Sequence, residues 1–479
     1  MYWYYGQKLL AAAQIIAKNE NYYGVYLSNF ACGPDSFLTR YFQELMGGKA
    51  HLILELDEHS GDAGMTTRCE AFLDSIRGSV KKGVCRRLDE ANLIRKGRVI
   101  YIPQMCDHAH ILAAALRNRG VDAVVMERSN DESLELARHF TSGKECLPAQ
   151  VTVGDMLRTI KRNDFDPKQA AFFMASGTGP CRFGQYYKLH RIVLDRLGYR
   201  DIPIYSPNQG RSLYDDLKGL GRRFIKVCWE GIIAVDVLMA LRFRRKPIER
   251  IPNSADSLYQ RYLNRIIHAV EKGDSIYDII KSAGKDFALI ETVGRKIPKV
   301  GIVGEIFVRS HSFSNQDLIT RIENEGIEVL LPPIGEWFFY LNFTRKRNCW
   351  WRGEYRRFFE TDLLDRAMRW IANRIYNLAG LEPEPKIDEI LDLARPYLHD
   401  TFEGEAITSI GKAIDFIKHG ALGIINVMPF TCMPGNVVSI LLKRVKDDFN
   451  VPILSIAYDG LHHPTDRIRF QAFITNLQQ

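Results

Sequence analysis

Three cysteines of this chain occupy one recurring setting. Cys32 (VYLSNF then ACGPDS), Cys181 (AAFFMA then SGTGPC) and Cys432 (LGIINV then MPFTCMPG) each follow an apolar strand and precede a helix. In open parallel sheets that position lies beyond the carboxyl ends of the strands, where ligands bind. The neighbouring helix N-terminus and glycine amides favour thiolate over thiol and can hydrogen-bond to sulfide. Gly33, and Gly177, Thr178 and Gly179 of SGTGPC, supply such backbone. Proline beside these cysteines removes an amide that would compete or clash. A fourth thiol, Cys146, lies in SGKECLPAQVTVGDML, which aligns with EGEAITSIGKAI so that Gly154 matches Gly411 and a residue near Glu403 or Glu405 replaces the cysteine. Four thiolates, from Cys32, Cys146, Cys181 and Cys432, suit one [4Fe–4S] cluster.

The chain has nine cysteines and no CxxC pair, which argues against zinc ribbons, thioredoxin-like chemistry and ferredoxin-type loops. Cys69, Cys85, Cys228 and Cys349 read as small buried hydrophobes. Cys106 follows a strand (VIYIPQMC) but lies in a different half of its repeat, where the last repeat has Glu305 to Arg309. Glu55, Asp57, Glu58, His59 and Asp62, echoed by Asp459, His462 and His463, could hold a cation or a group near the cluster. Their simpler reading is capping and solvated loop charge. No GxxxxGK[ST], GxGxxG or GxSxG occurs, so any ATP hydrolysis must come from another chain.

The elements that position these thiols repeat. Val99–Met126 and Val300–Leu331 each read strand, helix, Gly, strand, with Gly120 and Gly326 at helix C-termini. Ala170–Tyr205 and Ala421–Tyr458 form a second half, and Tyr23–Leu56 is a third copy of that second half alone. The first copy's opening β-α-β would lie upstream of Met1 or come from another polypeptide. The fold class expected is α/β: repeated Rossmann/flavodoxin-like parallel-sheet units with helical insertions, the cluster at the junction of strand-end loops. The expected division is a partial unit with Cys32 over 1–85 and a unit with Cys146 and Cys181 over 86–215. A helical connection follows over 216–296, then a unit with Cys432 over 297–479, with a helical insertion at about 340–418.

The length of 479 residues, 46% apolar and 25% charged, is ordinary for a globular protein. No apolar run is long enough to span a bilayer; Phe224 to Phe243 is broken by Lys226, Glu230 and Asp236 and reads as a buried amphipathic helix. The opening MYWYYGQKLLAAAQII lacks a basic leader and cleavage site, so a cytoplasmic protein is expected. A net charge of +8 is mild, and TRKRNCWWRGEYRR reads as a solvated helix face with Trp350 and Trp351 turned inward, so no nucleic-acid partner is expected.

The strings SNFACGPDSF, ELDEHSGDAGMTTRCEAFLDS, SGKECLPAQVTVGDML, ASGTGPCRFGQY, VGIVGEIFVR and MPFTCMPG resemble the large acyl-CoA dehydratase activase-related proteins. These are similar in turn to the D-component of 2-hydroxyacyl-CoA dehydratases and to double-cubane cluster proteins. The resemblance covers essentially the whole chain. It implies an anaerobic, oxygen-sensitive iron–sulfur protein that takes low-potential electrons from an ATP-hydrolysing activator and passes them to a small substrate or partner. The alternatives are a dehydratase-like catalytic component with one open iron, or a structural cluster protein. The cofactor implied is a [4Fe–4S] cluster, or a double-cubane [8Fe–9S] cluster. Large members carry the ATPase and a first half-domain on the same chain, and this sequence has neither.

Overall fold

The apolar runs that precede the cysteine loops are four to seven residues long, too short for core helices and bounded by polar turns, and they form strands. The computed structural model describes residues 3–29, 32–78, 97–209, 213–294 and 297–478; Cys85 and the boundary expected at residue 85 lie outside them. Among the described residues ten strands make three sheets, and every pairing is parallel. The first sheet holds β1 (Gly24–Asn29) and β2 (His51–Leu56). The second holds β3 (Val99–Ile102), β4 (Ala123–Val125), β5 (Ala170–Phe173) and β6 (Ile204–Tyr205), in the order β4-β3-β5-β6. The third holds β7 (Lys299–Gly304), β8 (Glu328–Leu330), β9 (Gly423–Pro429) and β10 (Ile453–Tyr458), in the order β8-β7-β9-β10.

The second and third sheets thus share one flavodoxin-like order, and β1-β2 reproduces its second half. The order reverses between β3 and β5, and between β7 and β9, which opens a crevice at the carboxyl end of each sheet. Coverage explains the burial patterns. β9 is buried at every position because helices pack on both its faces, whereas β1 alternates and leaves Val25 and Leu27 50% and 62% exposed. The first unit still packs on the second: Phe37 stacks on Tyr186 at 6.1 Å and the Tyr41 hydroxyl donates to the Gln185 carbonyl. Phe37, Tyr41 and Met46 share one core with Met156, Phe172 and Val193.

The aligned glycines do the same work in both full units. The helix Leu147–Ile160 presses on Asp131–Arg138, and a Cβ on Gly154 would stand 1.8 Å from the Ser133 carbonyl oxygen. The helix Glu405–Lys418 presses on Ile387–Ala394, and a Cβ on Gly411 would stand 2.2 Å from the Ile390 carbonyl oxygen. Gly154→Ala is therefore expected to destabilise by about 2–3 kcal/mol, since backbone must move to admit the methyl. Gly64→Ala, on the helix Asp62–Gly78 with nothing within 4 Å, should be neutral or gain up to about 1 kcal/mol from helix propensity. Urea unfolding of the two variants checks this, and equal midpoints would refute the close helix contact.

Between β6 and β7 run the helices Arg222–Arg245, Ser254–Lys272 and Tyr277–Ala288. The first contains the expected amphipathic stretch, and its internal charges are partnered: Glu230 accepts from the Tyr277 hydroxyl and Asp236 pairs with His108. None of the described helices is long and apolar enough to cross a membrane. The insertion in the third unit includes the helices Ile334–Trp351 and Tyr355–Leu378. Trp350 and Trp351 are 55% and 62% exposed rather than turned inward. Apolar residues surround the Ile334–Trp351 helix on all sides, so its sequence marks no inner face; Ile334, Phe339 and Tyr340 take the core. Trp351 lies under the Arg347 guanidinium at 4.8 Å, and Arg347 and Lys346 are tied to Glu403 and to Asp362 and Asp365.

Candidate metal centre

Each of the four cysteines stands where a helix begins. Cys146 and Cys432 are the residues that precede the first turns of Leu147–Ile160 and Met433–Phe449, and Cys181 precedes the short 3-10 helix Arg182–Gln185. The Gly435 amide donates to the Cys432 sulfur at 3.4 Å. The amides of Ala149 and Asp35 face Cys146 and Cys32 in the same way, three residues on in every case. That geometry has a sequence signature, Cys-x-Pro at Cys32, Cys146 and Cys432, with the proline where a first-turn helix lacks an internal acceptor for its amide. At Cys181 the turn closes because Gly184 has no side chain; a Cβ there would stand 2.3 Å from the Gly177 carbonyl oxygen. The amides of Gly177, Thr178 and Gly179 donate to no other described group, which leaves a run of backbone donors beside Cys181.

Cys146, Cys181 and Cys432, drawn from two units, lie near enough for charge on one to act on another. The Cys181 thiol is pushed well above its usual range by burial first, then by Glu405, Cys432 and Cys146. Burial likewise raises Cys432, with Glu305, Glu405 and Cys146 adding to it. Burial raises Cys146, which Arg182 and a 2.7 Å hydrogen bond with the Tyr186 hydroxyl counter. Two carboxyls act on these thiols as well. Glu305, at the end of β7, accepts from the Val308 amide at 2.8 Å, and Glu405 opens the helix that replaces Cys146 in the third unit. Burial and then the neighbouring Glu305 push Glu405 up to about 8, with Arg309 opposing them.

Arg182 is the charge common to all four thiols. Burial works to lower its pKa, but Cys146, Tyr186, Cys432 and Cys181 outweigh that; at Cys32, where burial raises the thiol, Arg182 acts in the opposing direction. Its guanidinium donates to Ser36 Oγ at 3.0 Å, to the Lys144 carbonyl at 3.1 Å and to the Thr431 carbonyl and hydroxyl at 3.1 Å. One side chain therefore ties the first, second and third units together at the site.

Cys32 faces a different space. It lines a cleft of about 90 Å³ with Ser28, Asp35, Lys144, Thr431 and Asp459, none of them one of the other three thiols. At Gly33 and Gly179 a Cβ would meet no described protein atom within 4 Å. Cys106 lines a separate cavity with His108 and Asp236. Cys228 and Cys349 belong to packed regions, and burial raises both thiols. The two acidic loops after β2 and β10 are alike: Asp57 accepts from the His59 amide and Asp459 from the Leu461 amide, each at 2.9 Å. That is the capping role such aspartates take in turns. Arg182, Tyr186 and Gly184 were not singled out from sequence, although all lie within five residues of Cys181. Glu405 was reached through the repeat alignment.

Among the described residues no three His, Cys, Asp or Glu side chains stand close enough to share one metal ion. A cubane asks for a wider set, because each thiolate takes a different iron. The donor chemistry suits that group: burial disfavours charge on the three thiols and two carboxyls, and a polynuclear cation would favour their deprotonated forms. Comparison with known families finds no family model that matches the chain, and a search of the curated proteins finds no match.

Proposed function

We propose that the chain is an iron–sulfur protein of the kind its motifs resemble, receiving low-potential electrons from an ATP-hydrolysing activator and passing them to a small substrate or partner. The observation that carries this reading is that Cys146, Cys181 and Cys432, each at the start of a helix in two repeats, act on one another's charge and share the buried Arg182. Cys146, Cys181 and Cys432 would hold a [4Fe–4S] cluster; Cys32, the fourth thiolate expected from the repeat, lines a cleft of its own. A cluster bound there supplies one-electron redox chemistry. The chain's own part is electrostatic: Arg182 offsets thiolate charge, the Gly177–Gly179 amides point donors at sulfide, and burial excludes water.

A specific observation favours the dehydratase-like alternative as a second reading. Cys32 opens to its own cleft instead of joining the other thiols, which would leave one iron with a non-thiolate position towards that cleft. The exposed outer face of β1, with Tyr4, Tyr5, Leu9 and Ile15 exposed on the adjoining N-terminal helix, supports a further subunit covering the first unit. Iron and acid-labile sulfide counts with EPR of the dithionite-reduced, anaerobically purified chain test the proposal. About four of each per chain and a reduced-cluster signal are expected. Protein without sulfide after anaerobic reconstitution would end it.

A further inference from the structure

We propose that Cys106, His108 and Asp236 form a second reactive site, a nucleophilic thiol that accepts a short activated acyl group and is separate from the four-cysteine region. Cys106 lies just beyond β3 at the carboxyl end of the second sheet, beside the helix His108–Asn118. Its sulfur stands 3.3 Å from His108 Nδ1, and His108 Nε2 stands 3.0 Å from Asp236 Oδ1. Thiol, imidazole and carboxylate are thus in line, with the imidazole's two nitrogens assigned to opposite partners, the arrangement of a base-activated nucleophile.

The carboxylate is fixed more firmly than a surface ion pair. Asp236 has 1% of its side chain exposed and accepts the Ile334 amide at 2.9 Å and the Gly335 amide at 2.8 Å. Gly335 permits this approach, since a Cβ there would stand 2.6 Å from Ile233. Burial disfavours a charged His108, but Cys106 and Asp236 outweigh it and raise its pKa to about 10. An imidazolium is the partner that stabilises a neighbouring thiolate. The Asp107 carboxylate accepts from the Tyr259 hydroxyl at 2.6 Å and does not cap the helix, and the Asp107 and His108 amides donate to no other described group. These amides can receive charge that develops on a carbonyl oxygen.

The thiol borders a cavity of about 100 Å³, whose walls include Met239, Phe243 and Leu331, with Arg244 exposed at its rim. Glu328, Tyr376 and Glu384 are the other titratable groups around it. That volume holds roughly three or four non-hydrogen atoms, and the apolar walls suit a short acyl chain. In the step itself, the Cys106 thiolate, whose proton already rests on His108 Nδ1, bonds to the carbonyl carbon. The bond to the leaving group breaks, and the proton passes to that group. The products are S-acyl Cys106 and the free leaving group, with no oxidant or reductant required.

The probe is p-nitrophenyl propionate with the full chain, read by p-nitrophenolate release and by the mass of the acylated peptides. Cys69, partly exposed on the helix Asp62–Gly78, is the internal reference thiol. Expected is a burst that places the propionyl group on Cys106 about tenfold or more faster than on Cys69 at pH 7. His108→Gln should slow acylation of Cys106 about tenfold or more while leaving Cys69 unchanged. Asp236→Asn should slow it too, but Asp236 also holds two amides, so the comparison of two thiols within the unmodified chain is the decisive one. Equal acylation of Cys106 and Cys69, or a Cys106 rate indifferent to His108→Gln, would overturn the proposal.

Discussion

Cys181→Ala, prepared and reconstituted without oxygen, is expected to bring bound iron from about four per chain to background. Cys146→Ala and Cys432→Ala should do the same, because each removes one of three thiols that act on one another's charge. Alanine leaves no soft donor, and the nearby Glu305 and Glu405 carboxyls are harder ligands whose ionised forms burial disfavours. Cys32→Ala is expected to behave differently. Its thiol faces the cleft beside Lys144 and Thr431, so its loss should keep most of the iron and change the EPR spectrum of the reduced state. Cys228→Ala and Cys349→Ala remove thiols from packed regions and should leave iron content unchanged. Iron analysis and EPR across the six variants give the answer. Equal loss in Cys32→Ala and Cys181→Ala would favour four equivalent ligands, and undiminished iron in Cys181→Ala would remove this site from consideration.

Much of this architecture was legible because the repeat is written in strongly periodic segments. Strand, loop, helix and strand recur with glycines at matching positions, and Gly154 and Gly411 meet the same steric demand in both full units. Cys32, Cys181 and Cys432 were legible because each follows a strand, a position that a parallel sheet places at its ligand edge, whereas Cys146 follows a helix and was reached through the repeat alignment. What sequence order does not give is how the repeats face one another. Cys32 repeats the place of Cys181 and Cys432, yet the first unit is turned so that its cysteine opens to a cleft and its helix Asp35–Met46 packs against Tyr186. The same limit hid Arg182, whose partners lie 146 and 249 residues away in the chain. Trp350 and Trp351 were misjudged because a helix whose apolar and polar residues are spread evenly around it gives no direction to bury.

Arg182 offers the sharpest separation of structural from electrostatic effects at this site. Arg182→Met keeps the volume of the side chain but removes a buried charge and the donors that reach Ser36, Lys144 and Thr431. The Lys144 and Thr431 carbonyls would lose these bonds at the junction of three units. The empty protein should therefore be destabilised by about 3–5 kcal/mol, the range for breaking a buried charged network. In the reconstituted protein, loss of a positive charge beside the thiolates disfavours the reduced state, which carries one more electron. The midpoint potential should fall by about 60 mV, a tenfold change in the one-electron equilibrium. Arg182→Lys keeps the charge with fewer, less directional donors. It should restore most of the potential while recovering little of the stability. Urea unfolding of the empty variants and EPR-monitored redox titration of the reconstituted ones separate the two effects. Matching potentials in Arg182→Met and the unmodified protein would show that Arg182 only ties the units together, and that the site's charge balance is set by Glu305, Glu405 and the amides around Cys181.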